Sequence, residues 1–157
     1  MGGTALAEGI GEKLTPLPDV PEAAVLLAKP DLFVSTKEVY GRLNLSEETK
    51  HPDIDGMLDA IREGSLHGVT DRMGNVLQDV TSPSYPVIGR LIELMEENGA
   101  VRAMMSGSGP TVFGIFKSKE EAVHCKEVLE QKQAEMQWTE KGYQPVKQIF
   151  VTEFVSA

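Results

Sequence analysis

The sequence predicts an α+β fold of the ferredoxin-like, split βαβ kind: an antiparallel sheet with helices on one side, preceded by a separate hairpin. Three observations predict it. After Pro21 the elements run strand, helices, strand, strand, helix, strand, an order that belongs to this arrangement. Two long segments, residues 84–98 and 118 to about 136, read as helices. The closing "VKQIFVTEFV" mostly alternates apolar and polar positions, as a strand with one face on a core does.

Taken in order, "MGGTALAEGIGEKLTPLPDVPEA" opens with a strand over residues 4–8, turns at Gly9-Ile10-Gly11 and resumes as a strand over 13–17. Two strands alone are marginal in water, so the pair needs neighbours. Pro16, Pro18 and Pro21 mark the connection to the next unit. "AAVLLAKP" is an apolar run of strand length closed by Pro30. Ser35 followed by Glu38 forms a capping box opening a helix in "STKEVYGRL". Ile54, Met57, Leu58 and Ile61 repeat at helical spacing after Asp53, and Gly64 ends that helix. Leu66, Val69, Met73, Val76 and Leu77 continue the period on a third helix despite Gly68 and Gly74. In the helix over 84–98, Val87, Ile88, Leu91, Ile92 and Met95 share a face, and Gly99 follows its end. Residues 101–105 and 111–116 are strands, and Ser118 with Glu121 caps the long helix.

The chain of 157 residues suits one ordinary domain with a real core. Its formal charge of -9, with Lys and Arg scattered, argues against nucleic acid or an anionic membrane as partner. A local anion site stays open, because backbone donors hold phosphate against an unfavourable global field. The single cysteine, Cys125, excludes an internal disulfide and a Cys-based zinc cluster, and points to a reducing, cytoplasmic setting. No apolar run reaches membrane-span length.

The chemistry concentrates in "RAMMSGSGPTVFGIF". This glycine-rich loop joins two strands, whereas a dinucleotide fingerprint or a Walker loop runs from a strand into a helix. Gly107 and Gly109 suit positive φ, so successive N–H groups here form either an anion-binding nest or an ordinary hairpin loop. Ser106 and Ser108 add hydroxyls; Pro110 has no N–H. Elsewhere His51, His67 and His124 are too scattered for a metal site. Asp53 and Asp55 read as an N-cap and a first-turn carboxylate. Asp71, Arg72 and Asn75 are placed on one helix, facing either a cleft or solvent, Trp138 and Tyr143 pack before the last strand, and Met104 and Met105 belong to sheet packing. No nucleophile–His–acid set assembles, so no catalytic residue and no metal ligand is assigned to the chain.

"MSGSGPTVFGIF" resembles the third glycine-rich motif of the GHMP kinase superfamily, which groups galactokinase, homoserine kinase, mevalonate kinase and phosphomevalonate kinase. "GGTALAEGIGEKLTPLP" and "VLLAKPDLFVSTKEVYGRL", in the same order, are similar to corresponding segments of one member, so the resemblance covers nearly the whole chain. It implies the family's C-terminal domain over residues 21–157, with 1–20 a remnant of a preceding N-terminal kinase domain. The implied activity is transfer of the ATP γ-phosphoryl group to the 2-hydroxyl of a cytidyl diphosphate substrate, in isoprenoid precursor synthesis by a non-mevalonate route. ATP and Mg²⁺ are the implied cofactors of the longer enzyme, and none is expected to bind this chain tightly alone. The resemblance makes Ser106, Gly107, Ser108, Gly109 and Thr111 a loop supporting the ATP phosphate loop or touching substrate, with Ser35 and Thr36 near the cleft. Pro110 stands where the family often carries a small or hydroxyl residue, removing one donor.

The family's Pro-x-x-x-Gly-x-x-Ser-Ser phosphate loop is absent from this sequence, as are its Lys and Asp at the reacting hydroxyl. The chain alone is therefore expected to be inactive. Its hairpin, with Ala5 and Leu6 on the apolar face, is expected either to be mobile or to pair with the same segment of another copy. Another kinase of the superfamily, of homoserine or mevalonate type, and a free-standing ferredoxin-like ligand-binding module are the alternative readings.

Overall fold

Two separate sheets organise the computed structural model, which describes residues 3–44, 51–134 and 146–154. The first is an antiparallel hairpin of β1 (Thr4–Glu8) and β2 (Lys13–Leu17), with the predicted bounds. Gly9 and Gly11, at φ 68° and 98°, make its turn. Most hairpin side chains are exposed, Ile10 at its tip almost entirely. Thr4 Oγ1 accepts from the Val20 N–H at 3.2 Å, tying β1 to the connection that follows.

The second sheet contains β3 (Ala24–Lys29), β4 (Arg102–Met105), β5 (Val112–Phe116) and β6 (Gln148–Glu153). Its order is β4-β5-β3-β6 with every neighbouring pair antiparallel, the expected ferredoxin-like arrangement. The run AVLLAK sits centrally because apolar residues on both faces suit a strand paired on both sides. Leu26 lies opposite Gly114 on one side and Val151 on the other.

One face of this sheet forms the core with two helices, α5 (Pro86–Glu97) and α6 (Lys119–Ala134). Ala24, Leu26, Ala28, Ala103, Met105, Val112 and Phe116 meet Ile88, Leu91, Leu94 and Met95 of α5 and Ala122, Cys125 and Leu129 of α6. Each large apolar side chain so buried contributes about 1.5–3 kcal/mol relative to exposure. Gly114 fits this contact because a Cβ there would approach Met95 Sδ at 3.1 Å and Ala100 Cβ at 3.3 Å.

Between β3 and α5 the chain forms α1 (Thr36–Arg42), α2 (Ile54–Arg62), α3 (Leu66–Asp71) and α4 (Gln78–Thr81). The predicted caps are present: Ser35 Oγ accepts from the Glu38 N–H, Asp53 Oδ1 from Gly56 and Ser118 Oγ from Glu121. The sequence expectation of one helix from Leu66 to Leu77 is corrected, for α3 stops at Asp71. Arg72 turns back so that Nη1 donates to the Gly68 carbonyl at 2.9 Å, and Nε lies 3.4 Å from Asp53 Oδ2. Gly74 closes on Pro52, and Asn75 Oδ1 accepts from the Leu77 N–H at 3.0 Å, a local turn that competes with helix. Asp71, Arg72 and Asn75 therefore do not share a helix.

The helix expected over 84–98 begins two residues later. Ser82–Ser84 form a 3₁₀ turn, and Tyr85 lies outside the helical region at φ -134° and ψ 79°. Pro86 explains both facts: it disfavours helical backbone in the residue before it and is pre-set for a first helical position. Trp138, Tyr143 and the end of the helix expected to reach Met136 lie outside the described residues. Among the described residues no helix is long and apolar enough to cross a membrane.

Candidate functional site

The β4–β5 connection, residues 106–111, closes with two backbone bonds. The Ser106 N–H donates to the Thr111 carbonyl at 2.8 Å, and the Gly109 N–H to the Ser106 carbonyl at 2.9 Å. Gly107 and Gly109 have φ of 54° and 86°, the left-handed region in which a Cβ is costly. The Gly109-Pro110 peptide is cis. A Cβ on Gly109 would meet Met105 Sδ at 2.7 Å, whereas one on Gly107 would meet nothing within 4 Å. Glycine is thus required at 109 by conformation and space, and at 107 by conformation alone.

Two segments distant in sequence, Thr36 and the stretch from Asn75 to Thr81, hold the loop. Asn75 Nδ2 donates to the carbonyls of Met105 and Gly107, each at 2.8 Å. Thr81, 1 % exposed, donates from Oγ1 to the Ser108 carbonyl at 3.2 Å. Thr36 Oγ1 and Ser108 Oγ share a hydrogen bond of 2.9 Å. Gln78 Oε1 accepts from the Met105 N–H at 2.9 Å just before the loop. Four backbone groups of residues 105–111 are engaged from outside and four more across the turn, which fixes the loop before any ligand arrives.

What remains unengaged is the side of the loop that chemistry can use. Among the described residues, no protein group accepts from the N–H groups of Gly107 and Ser108, and none pairs with the hydroxyls of Ser106 and Thr111. Ser106 and Gly107 are exposed; Ser108, Gly109 and Thr111 are half-buried. These donors, fixed within one turn and carrying no formal charge, suit phosphate oxygens.

Of the predicted residues, Thr36 and the loop are brought together by the Thr36–Ser108 bond. Ser35 lies beside Thr36, but its hydroxyl caps α1. Sequence reasoning missed Asn75, Gln78 and Thr81 as supports. Asn75 carried a signal, a polar residue in an apolar-periodic segment next to Gly74, whereas contacts spanning 27 to 32 residues leave no local pattern.

The remaining surface is less specific. A cavity of ≈ 700 Å³ behind β4 is lined by Arg72, Arg102, Asp71 and Asp79 among others, charges of both signs. Another of ≈ 500 Å³ lies between Asp19 and Ala24, Lys117 and Lys119, and Glu153 and Phe154. Among the described residues no three His, Cys, Asp or Glu side chains are grouped to hold a metal ion. Burial pushes the Cys125 thiol up to about 11 from its ordinary 9.0, which disfavours the reactive thiolate.

Comparison with known proteins sets this geometry in context. The family model described as "GHMP kinases C terminal" matches residues 47–135, more than half of the chain. A curated relative from Lachnospira eligens, 4-diphosphocytidyl-2-C-methyl-D-erythritol kinase, is 52 % identical over 146 residues, covering 92 % of this chain and 51 % of the relative. A solved 4-(cytidine 5'-diphospho)-2C-methyl-D-erythritol kinase superposes with a TM-score of 0.72 at 22 % identity, covering 98 % of this chain and 50 % of that one. Homoserine kinase from Cytophaga hutchinsonii gives 0.71 at 16 % identity, covering 99 % and 49 %. The two structures share the fold, and the chain spans about half the length of the relatives it matches.

Proposed function

The chain belongs to the GHMP kinase family, in the part its family model describes as C-terminal, and from that premise we propose that it serves an ATP-dependent kinase phosphorylating the 2-hydroxyl of 4-diphosphocytidyl-2-C-methyl-D-erythritol. The substrate assignment follows the Lachnospira eligens relative at 52 % identity. The observation that carries the chemistry is the glycine loop, with N–H groups of Gly107 and Ser108 and hydroxyls of Ser106 and Thr111 unengaged while Asn75, Thr81 and Thr36 hold its frame.

In this reading the loop works by position and electrostatics. Phosphoryl transfer spreads charge over phosphate oxygens, and fixed donors stabilise that charge without reorganising. Gly107 and Ser108 offer backbone N–H groups to a phosphate of ATP or of the substrate's diphosphate; Ser106 and Thr111 offer hydroxyls. Thr36, bonded to Ser108, aligns the start of α1 with the loop. ATP supplies the transferred group when bound. The described residues hold no cluster suited to Mg²⁺, so no role in binding the metal is given to them. Because the sequence carries neither the family's phosphate loop nor an assigned catalytic acid or base, the chain alone does not turn over in this reading.

A chimaera in which this chain replaces the matching segment of the Lachnospira eligens enzyme tests the proposal. Substrate-dependent ADP release by the chimaera, and none by the chain alone, is the expected pair of results. A folded chimaera that binds ATP but does not phosphorylate the substrate overturns it.

A further inference from the structure

We propose that β6 is a docking edge for a second copy of this chain, the two β6 strands pairing antiparallel about a two-fold axis to make one continuous eight-stranded sheet. The inference is independent of the kinase reading. The outer strands β4 and β6 differ in how their free edges are covered. On β4 the Ala103 N–H donates to Glu96 Oε1 at 3.2 Å and the Met105 N–H to Gln78 Oε1 at 2.9 Å. Side chains of this kind close an edge to further pairing. Among the described residues no side chain bonds to the backbone of β6 from Gln148 to Glu153.

The residues along β6 define the occupant. A strand paired antiparallel with its own copy places residues of constant summed number opposite each other. With Phe150 on the axis, Phe150 faces Phe150 of the second copy, Ile149 faces Val151, Gln148 faces Thr152 and Lys147 faces Glu153. The ends are charge-complementary: Glu153 is exposed and has no ion-pair partner among the described residues, and it falls opposite Lys147, which in the single chain lies 2.7 Å from Asp31. The centre is an aromatic pair, a favourable cross-strand contact.

The sheet register adds to this. Met104 lies opposite Phe113, Phe113 opposite Leu27, and Leu27 opposite Phe150, so one row crosses all four strands on the face turned away from the α5–α6 core. Phe150 ends that row 56 % exposed. A second copy covers it and continues the row across the axis. The hairpin is the poorer edge, since Pro16 in β2 lacks the N–H that pairing uses.

Sedimentation equilibrium of the whole chain tests this, with three variants. The expected result is a reversible dimer that Phe150→Lys converts to monomer with an unchanged circular dichroism spectrum. Lys147→Glu and Glu153→Lys should each weaken the dimer, and the two together should restore it. Should Phe150→Lys not fold, Phe150→Cys replaces it: rapid disulfide-linked dimer formation under mild oxidation supports the pairing, and failure to cross-link overturns it. A wild-type monomer at the highest soluble concentration overturns the proposal, as does a dimer insensitive to Phe150→Lys.

Discussion

Asn75 and Gly107, 32 residues apart in sequence, are joined by a 2.8 Å hydrogen bond from the Asn75 side-chain amide to the Gly107 carbonyl. The same nitrogen donates to Met105, and the Asn75 oxygen accepts from Leu77. One side chain thus anchors both the entry and the crest of the glycine loop. Asn75→Ala strands two carbonyls and one N–H, and it should destabilise the fold by about 1–3 kcal/mol in urea titration. In the chimaeric kinase it should lower kcat by more than that loss of stability explains. Asn75→Asp keeps the acceptor for Leu77 but turns a carboxylate oxygen toward the two carbonyls, and should be at least as damaging as Asn75→Ala.

The two loop glycines should separate by their reasons for being glycine. Gly109→Ala meets both a positive φ of 86° and the buried Met105 sulfur, and should cost about 2–4 kcal/mol of stability. Gly107→Ala has open space and should cost only the conformational part, about 1–2 kcal/mol. Gly107→Val in the chimaera should depress turnover, because a β-branched residue resists that φ and shifts the neighbouring N–H groups. Unchanged kinetic constants in that variant would remove the loop from the reaction.

Cys125 predicts a pH dependence. Its thiol is pushed up to about 11 in the fold by burial, against 9.0 ordinarily. A folded value above the unfolded one means that the stabilisation is complete below pH 9. It then declines as the pH rises from about 9 to about 11, where the unfolded chain releases the proton and the folded chain keeps it. Wild type should lose stability across that window relative to Cys125→Ala. The native thiol should also resist thiol reagents at neutral pH until the protein unfolds.

Gln78, half-buried at the start of α4, should matter more than its partial exposure suggests. Its side-chain oxygen is the acceptor for the Met105 N–H on the outer edge of β4. Gln78→Leu leaves that donor without a partner, with an expected loss of about 1–3 kcal/mol. It also opens the β4 edge, so the variant should aggregate on heating more readily than wild type, which light scattering would show.

Much of this architecture was legible from local signals. Ser35, Asp53 and Ser118 announce helix starts that the structure keeps, and both hairpin strands fall on their predicted residues. The order of elements specified the sheet because each strand is bounded by a turn or a capped helix. What failed was the stretch from Arg72 to Tyr85. There an apolar period of helical spacing is overridden by Asn75, whose partners lie on β4 and the loop, and by Pro86, which sets where α5 begins. The glycine loop could be found from "SGSGP", yet its supports could not, since Thr81 and Gln78 reach it only once the sheet and helices have assembled.

The central claim, that the fixed glycine loop serves phosphoryl transfer in a longer kinase, is tested most directly by coupled ADP-release kinetics of the Lachnospira eligens chimaera with 4-diphosphocytidyl-2-C-methyl-D-erythritol as acceptor. The account predicts substrate-dependent turnover, lost largely through kcat in Gly107→Val, and no turnover by the chain alone. Turnover by the chain alone in proportion to its concentration, or a chimaera whose rate is indifferent to Gly107→Val, would contradict it.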